Sequence, residues 1–246
     1  MNVYVPEYYP QFHCIASKCR NTCCAGWEID IDPESLSRYQ RLTGAFGARV
    51  RQGISLEGTA HFILTEHERC PLLNKDGLCD LILHEGEGAL CQICRDHPRF
   101  RNYFSGRVEM GLGLVCEEAA HIILSWPSPL RLIRLEGDGA EEPTEDERYL
   151  FALRDEWIRS LPDEGPLTRL METLIYRHLA DALHDGRLDE RIAFINKAFR
   201  SIADGWAGDS IDSLAERARR FSDSVEYDDE VLERWIGQSV LTGPEP

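Results

Sequence analysis

All nine cysteines of this 246-residue chain fall between Cys14 and Cys116, and none follows. Four of them crowd together as Cys14-x4-Cys19-x3-Cys23-Cys24. With 43% hydrophobic residues the chain is long enough to bury a core without covalent staples. An odd cysteine count also leaves one thiol over in any closed disulfide framework. In a reducing compartment, where disulfides are disfavoured, such crowding points to metal binding or catalysis. Thiolates are soft ligands that select zinc and iron–sulfur clusters. Adjacent Cys23 and Cys24 point in different directions and fit poorly as two ligands of one tetrahedral zinc. A multi-iron cluster, or two separate roles, accommodates them better. A cluster takes four cysteines, so spare thiols remain for a second metal, for redox chemistry or for packing. Cys91, expected in the middle of a helix, reads as the spare, a small core hydrophobe. The C-x3-C-x2-C spacing of radical chemistry is absent, because Gly26 stands where the third cysteine is needed.

The compartment follows from what is missing. No run of about 18 apolar residues exists, so no membrane span is expected. The first residues lack a basic region followed by an apolar run, so a secretory signal is not expected either. A cytoplasmic location is the expectation. The net charge of −16 is uneven: −2 over residues 1–116 and −14 over residues 117–246. Such acidity repels nucleic acid and anionic lipid, so neither is an expected partner. A lysine-bearing protein segment is a better match, although acidity alone also serves solubility.

The pattern predicts an α+β protein. A cysteine-rich, metal-organised N-terminal region (1–136) with short hairpins and helices precedes an α-helical bundle (144–246). Trp27, Ile29 and Ile31 alternate with acidic residues as in a strand with one buried face. Asp32-Pro33 opens a helix to about Thr43. His61–Leu64 reads as a strand. Cys70–Leu73 and Leu78–Ile82 read as a hairpin across the turn signal Asn74-Lys75-Asp76-Gly77. Gly86–Cys94 reads as a short helix, and Ser105-Gly106 as the turn of a second hairpin. Cys116 begins another short helix. Thr144-Glu145-Asp146-Glu147 is a capping box. Pro166 opens the next helix and Asp185-Gly186 ends it. Further helices are expected near 188–203, 210–221 and 228–240, and Gly137–Pro143 is the expected linker.

The segment Tyr9-Pro10 through Phe12-x-Cys14-x4-Cys19-x3-Cys23-Cys24-x-Gly26-Trp27-x-Ile29-x-Ile31-Asp32 resembles the opening of flagellin lysine-N-methylases. These belong to a wider group of zinc- or iron-chelating cysteine-cluster proteins. The resemblance continues at Cys70-Pro71-Leu72-Leu73, Gly77-Leu78-Cys79, Cys94-x3-Pro98-Arg99 and Leu114-Val115-Cys116-x-Glu118-Ala119-Ala120. It implies an iron–sulfur enzyme, with a 4Fe-4S cluster, that uses S-adenosylmethionine to methylate lysines of flagellin or another lysine-bearing protein. It assigns the cluster to Cys14, Cys19, Cys23, Cys24, Cys70, Cys79, Cys94 and Cys116, with zinc as the alternative metal, and leaves Cys91 outside. His97, Leu73 and Glu117 depart from the usual pattern.

The residues alone carry no methyl-donor pocket. Gly111-Leu112-Gly113 lacks the third glycine of a nucleotide loop and reads as strand packing. Glu28, Asp30 and Asp32 offer acidity to a lysine, or a solvated strand face and a helix cap. Arg95 and Arg99 near Cys94 offset thiolate charge or form surface pairs. His13 and His97 adjoin cysteine-rich segments as ligands, outer-shell donors or ordinary histidines. Two other classes stay open: a non-catalytic zinc- or iron-binding module, and an electron-transfer protein using the same cluster.

Overall fold

The computed structural model describes residues 1–162 and 164–238. They form an α+β protein that divides into two compact units, Cys14–His97 and Met1–His13 together with Pro98 onward. The expected boundary between 136 and 144 is not where the chain divides. The reason is the strand Asn2–Pro6, which the sequence reading left out. It pairs parallel with Arg107–Leu112 and antiparallel with Leu132–Glu136, a second strand left out. Residues far apart in sequence thereby share one sheet, in the order 99–104, 107–112, 2–6, 132–136.

In this larger unit the expected hairpin forms, Arg99–Phe104 against Arg107–Leu112, with Gly106 at φ +73° in the turn. Gly111 is strand packing: a Cβ there would lie 2.3 Å from the Phe100 ring. The capping box forms as read. Thr144 accepts from the Glu147 amide and Glu147 accepts from the Thr144 amide, starting the helix Glu145–Ser160. Pro166–His178 is buried nearly all round, as a central helix must be. Leu188–Ala203, Ile211–Phe221 and Glu117–Leu124 pack their apolar sides into the same core. The last helix is Asp229–Gln238; residues 239 and 240 of the expected element lie outside the described set. Charged groups caught inside form ion pairs. Glu109, fully buried, receives both Arg107 and Arg154.

The Cys14–His97 unit is smaller and looser in regular structure. Pro33–Arg41 is a helix, capped by Asp32 at the Ser35 amide. It is followed by Gly44–Gln52. Ile29 and Ile31 face inward as their alternation predicts, but the segment makes only a bridge, Asp30 to His61, instead of a ladder. The expected 61–64 strand shortens to His61–Phe62, paired with Ile54–Ser55. The turn at Asn74–Gly77 forms, with the Asn74 side chain accepting from the amides of Asp76 and Leu78. Its second arm does not extend. After one bridge between Leu73 and Cys79 the chain coils into the helix Asp80–Glu85. Asp80 supplies acidity to that first turn and is held by Arg49 and Asn74. The core gathers Ile29, Ile31, Tyr39, Val50, Phe62, Leu72 and Leu81 around buried cysteines.

Candidate functional site

Eight of the nine cysteines lie in the Cys14–His97 unit, and among the described residues all nine are thiols. Five of them meet in its core. Cys70 and Cys91 are 8% and 1% exposed, and Cys24, Cys79 and Cys94 pack half-buried against the same cluster. Backbone pairing sets them there. The Cys70 amide donates to the Cys24 carbonyl at 2.8 Å. The Leu73–Cys79 bridge folds Cys79 back beside Cys70. Trp27 Nε1 donates to the Cys23 carbonyl at 2.7 Å and fixes the loop that carries the Cys23-Cys24 pair. The expected Gly86–Cys94 helix is instead a short turn, Glu87–Ala89, followed by the helix Gln92–Asp96. Cys91 therefore stands at the N-cap of that helix, not in mid-helix, and its thiol meets that of Cys94.

The thiols feel one another. The hydrogen bond from Cys94 lowers the ionisation of Cys91 to about 7, and the same contact, with burial, pushes Cys94 far up. Cys24 is lowered to about 7 by its hydrogen bond with Cys23, with further help from Thr22 and Arg69. Burial pushes Cys70 up to about 12 and raises Cys79. The remaining cysteines sit differently. Cys14 is exposed, and its sulfur accepts from the Ala16 amide at 3.4 Å. The Cys19 thiol donates to the Asn21 carbonyl at 3.2 Å. Cys116, in the larger unit, is the N-cap of Glu117–Leu124.

The donor set fits a soft metal in its chemistry: five sulfurs and few competing oxygens in one apolar core. It is not drawn together as a finished coordination shell. Among the described residues, no group of three or more His, Cys, Asp or Glu side chains is placed to hold a metal ion.

The other singled-out residues have mostly local work. Asp32 accepts from the amides of Ser35 and Gln92, at 2.9 and 2.8 Å, so it starts the Pro33–Arg41 helix and anchors the turn after Cys91. Burial alone would raise its carboxyl; those amides hold it at about 2. Glu28 pairs with His61 at 3.2 Å, and Asp30 is exposed. Arg99 lies over the rings of Tyr9 and Phe12 at 5.7 and 5.2 Å. His13 contacts the Gln11 carbonyl, and His97 stacks 6.1 Å from the Trp27 ring. In the larger unit a cavity of about 550 Å³ runs beside Arg107, Phe151, Arg154 and Tyr176. No glycine motif announced it, because its walls come from two strands and two helices distant in sequence.

No protein-family model matches the chain, and no solved structure matches it significantly. Curated relatives do. Over 139 residues, 54% of this chain, it is 27% identical to the lysine-N-methylases of Salmonella typhimurium and Salmonella choleraesuis. The match covers 35% of each of those proteins, so the chain spans about a third of their length. It is also 27% identical to the flagellar biosynthetic protein FliU of Salmonella muenchen, over 82% of that protein. The matches thus make the chain similar to lysine-N-methylases and to FliU, and they support the flagellin lysine-methylase family that its cysteine-rich segment resembles.

Proposed function

We propose that the protein is an iron–sulfur protein that methylates lysine side chains of flagellin, or of another lysine-bearing protein, using S-adenosylmethionine. The observation that carries this reading is the match to the lysine-N-methylases, which coincides with a core of buried, facing thiols. By resemblance, Cys14, Cys19, Cys23, Cys24, Cys70, Cys79, Cys94 and Cys116 would hold the metal, in a cysteine-rich region organised by it. A thiolate-bound cluster, when present, supplies a redox-active centre and a structural staple. Methyl transfer from a sulfonium to lysine needs the neutral amine, so the protein must take up the ammonium proton or desolvate the group. The cavity beside Arg107 and Arg154 has the size of a cofactor site and offers guanidinium groups to a donor's carboxylate. The Arg107 Nε is buried there with no acceptor among the described residues.

Anaerobically purified protein incubated with methyl-labelled S-adenosylmethionine and flagellin should transfer label to lysine. Iron and sulfide in comparable amounts should accompany the active protein. Metal-replete protein that transfers no label would overturn the enzyme reading in favour of a metal-binding module. A reversible redox transition without transfer would favour electron transport. Stoichiometric zinc in a colourless preparation would replace the cluster.

A further inference from the structure

We propose that the cavity of the larger unit takes the α-amino-acid end of the methyl donor, with the carboxylate on Arg159 and the ammonium on Asp155. The proposal rests on the methyl-transfer reading above and names the residues that would select its donor.

The cavity, of about 550 Å³, is bounded by Arg107 of Arg107–Leu112, Leu132 of Leu132–Glu136, one face of Glu145–Ser160 and Tyr176 of Pro166–His178. Its volume lies in the range of small-molecule sites. Three of its lining residues are arginines, and two of these are already committed. Arg154 gives Nη1 and Nη2 to the buried Glu109, at 2.5 and 3.1 Å. Arg107 gives Nη2 to the same carboxylate and has Glu141 3.8 Å from Nη1. The Arg107 guanidinium is also packed over the rings of Tyr4 and Phe151, at 4.2 and 5.1 Å. These two shape the wall and cannot swing out to a ligand without breaking the Glu109 pairs.

Arg159 is different. Its Nε donates to the Asp155 carbonyl at 3.0 Å, which fixes the stem along the helix. Its two terminal nitrogens have no partner among the described residues, so the fork that grips carboxylates two-handed is open. Asp155 stands one turn earlier on the same helix, and both side chains line the cavity. Aspartate and arginine at that spacing ordinarily pair with each other. Here no ion pair joins them among the described residues, and the Asp155 carboxylate has only the Arg154 Nε at 3.8 Å. Opposite charges left apart at one cavity mouth match a zwitterion, which brings a carboxylate to one and an ammonium to the other.

Exposure agrees with this placement. Asp155 is 64% exposed and Arg159 is exposed as well, so the charged end of a ligand would stay beside water. Leu130, Leu132 and Ile158 line the same cavity and suit the less polar nucleoside part. S-adenosylmethionine carries a net positive charge, which the −14 of residues 117–246 attracts.

The test is calorimetric titration of the full, metal-replete chain with two probes. S-adenosylhomocysteine has the amino-acid end, and 5′-methylthioadenosine has the same nucleoside without it. The wild-type protein should bind the first more than about tenfold more tightly than the second. Arg159→Gln and Asp155→Asn should each weaken S-adenosylhomocysteine about tenfold or more and leave 5′-methylthioadenosine unchanged. Both side chains are exposed, so the variants should keep the wild-type unfolding midpoint. Arg148→Gln, an exposed arginine of the same helix outside the cavity wall, should change neither affinity. Wild-type affinity for S-adenosylhomocysteine in Arg159→Gln and Asp155→Asn would overturn the proposal and leave the methyl-transfer reading intact, with the donor bound elsewhere. Equal weakening of both probes, or equal wild-type affinity for them, would overturn recognition of the amino-acid end. Wild-type protein that binds neither probe would overturn both readings.

Discussion

The two units of this chain hold themselves together by different means. The larger one buries long apolar stripes from several helices and closes its internal charges in pairs, such as Glu109 with Arg107 and Arg154. The Cys14–His97 unit has short helices, two-residue strands and a small core in which cysteines pack among aliphatic and aromatic side chains. Small units of that kind usually need a staple, and a disulfide or a metal is the common one. The contrast teaches that thiols and helices were not interchangeable fillers. One unit buries long helical stripes, and the other has a smaller core that mixes apolar side chains with cysteines.

The sharpest test of that contrast is metal removal. On the proposed metal reading, chelation should remove on the order of 10 kcal/mol from the sulfur-rich unit. Limited proteolysis of the full chain should then cut first between residues 14 and 97, while the helices of the larger unit stay protected. Equal protection with and without chelator would break the comparison from its larger side.

In the larger unit the greatest single effect belongs to Arg154. Arg154→Ala leaves Glu109 buried with only Arg107, which should cost about 3–5 kcal/mol in denaturant unfolding. The double change Glu109→Leu with Arg154→Met should cost less, because it removes the fully buried charge and leaves Arg107 partly exposed with Glu141 at 3.8 Å.

The acid limb comes next. Burial alone would raise the carboxyl of Glu226, but Arg177, His178 and Ser222 outweigh it and hold it at about 2. A depressed carboxyl stabilises the fold above its unfolded value near 4.5 and loses that contribution as pH falls toward 2. Glu226→Gln should therefore flatten the pH dependence of unfolding between about 4.5 and 2. An unchanged acid limb would remove Glu226 as its source.

Two small effects complete the set. Asp32→Ala removes the acceptor of two amides in the sulfur-rich unit and should cost about 1–2 kcal/mol. Thr144→Ala removes one arm of the capping box in the larger unit, at about 1 kcal/mol. Measured together, they show whether a cap matters more where the core is thin.

Much of the larger unit was legible because its signals are local. The capping box at Thr144, Pro166 at a helix start and the Ser105-Gly106 turn each specify a few neighbouring residues. The strands Asn2–Pro6 and Leu132–Glu136 were not legible, since their partners lie far away along the chain. In the smaller unit, burial was easier to read than pairing. Ile29 and Ile31 face inward as expected, yet no partner strand is long enough to make a ladder. The crowding of thiols pointed to a site, but not to which of them face one another. The spacing Cys91-x2-Cys94 was visible, but assigning Cys91 to mid-helix hid that it stands at a helix start with its thiol against that of Cys94.

The parallel pairing of Asn2–Pro6 also sets an order of assembly. That strand is made first, but both of its neighbours follow the whole Cys14–His97 segment. During synthesis the sulfur-rich segment is therefore complete before the sheet can close, and the closure itself is a slow, long-range event. Until then the first strand waits with unpaired amides, open to foreign strands. Its length of five residues and its terminal Pro6 make it a poor template for them.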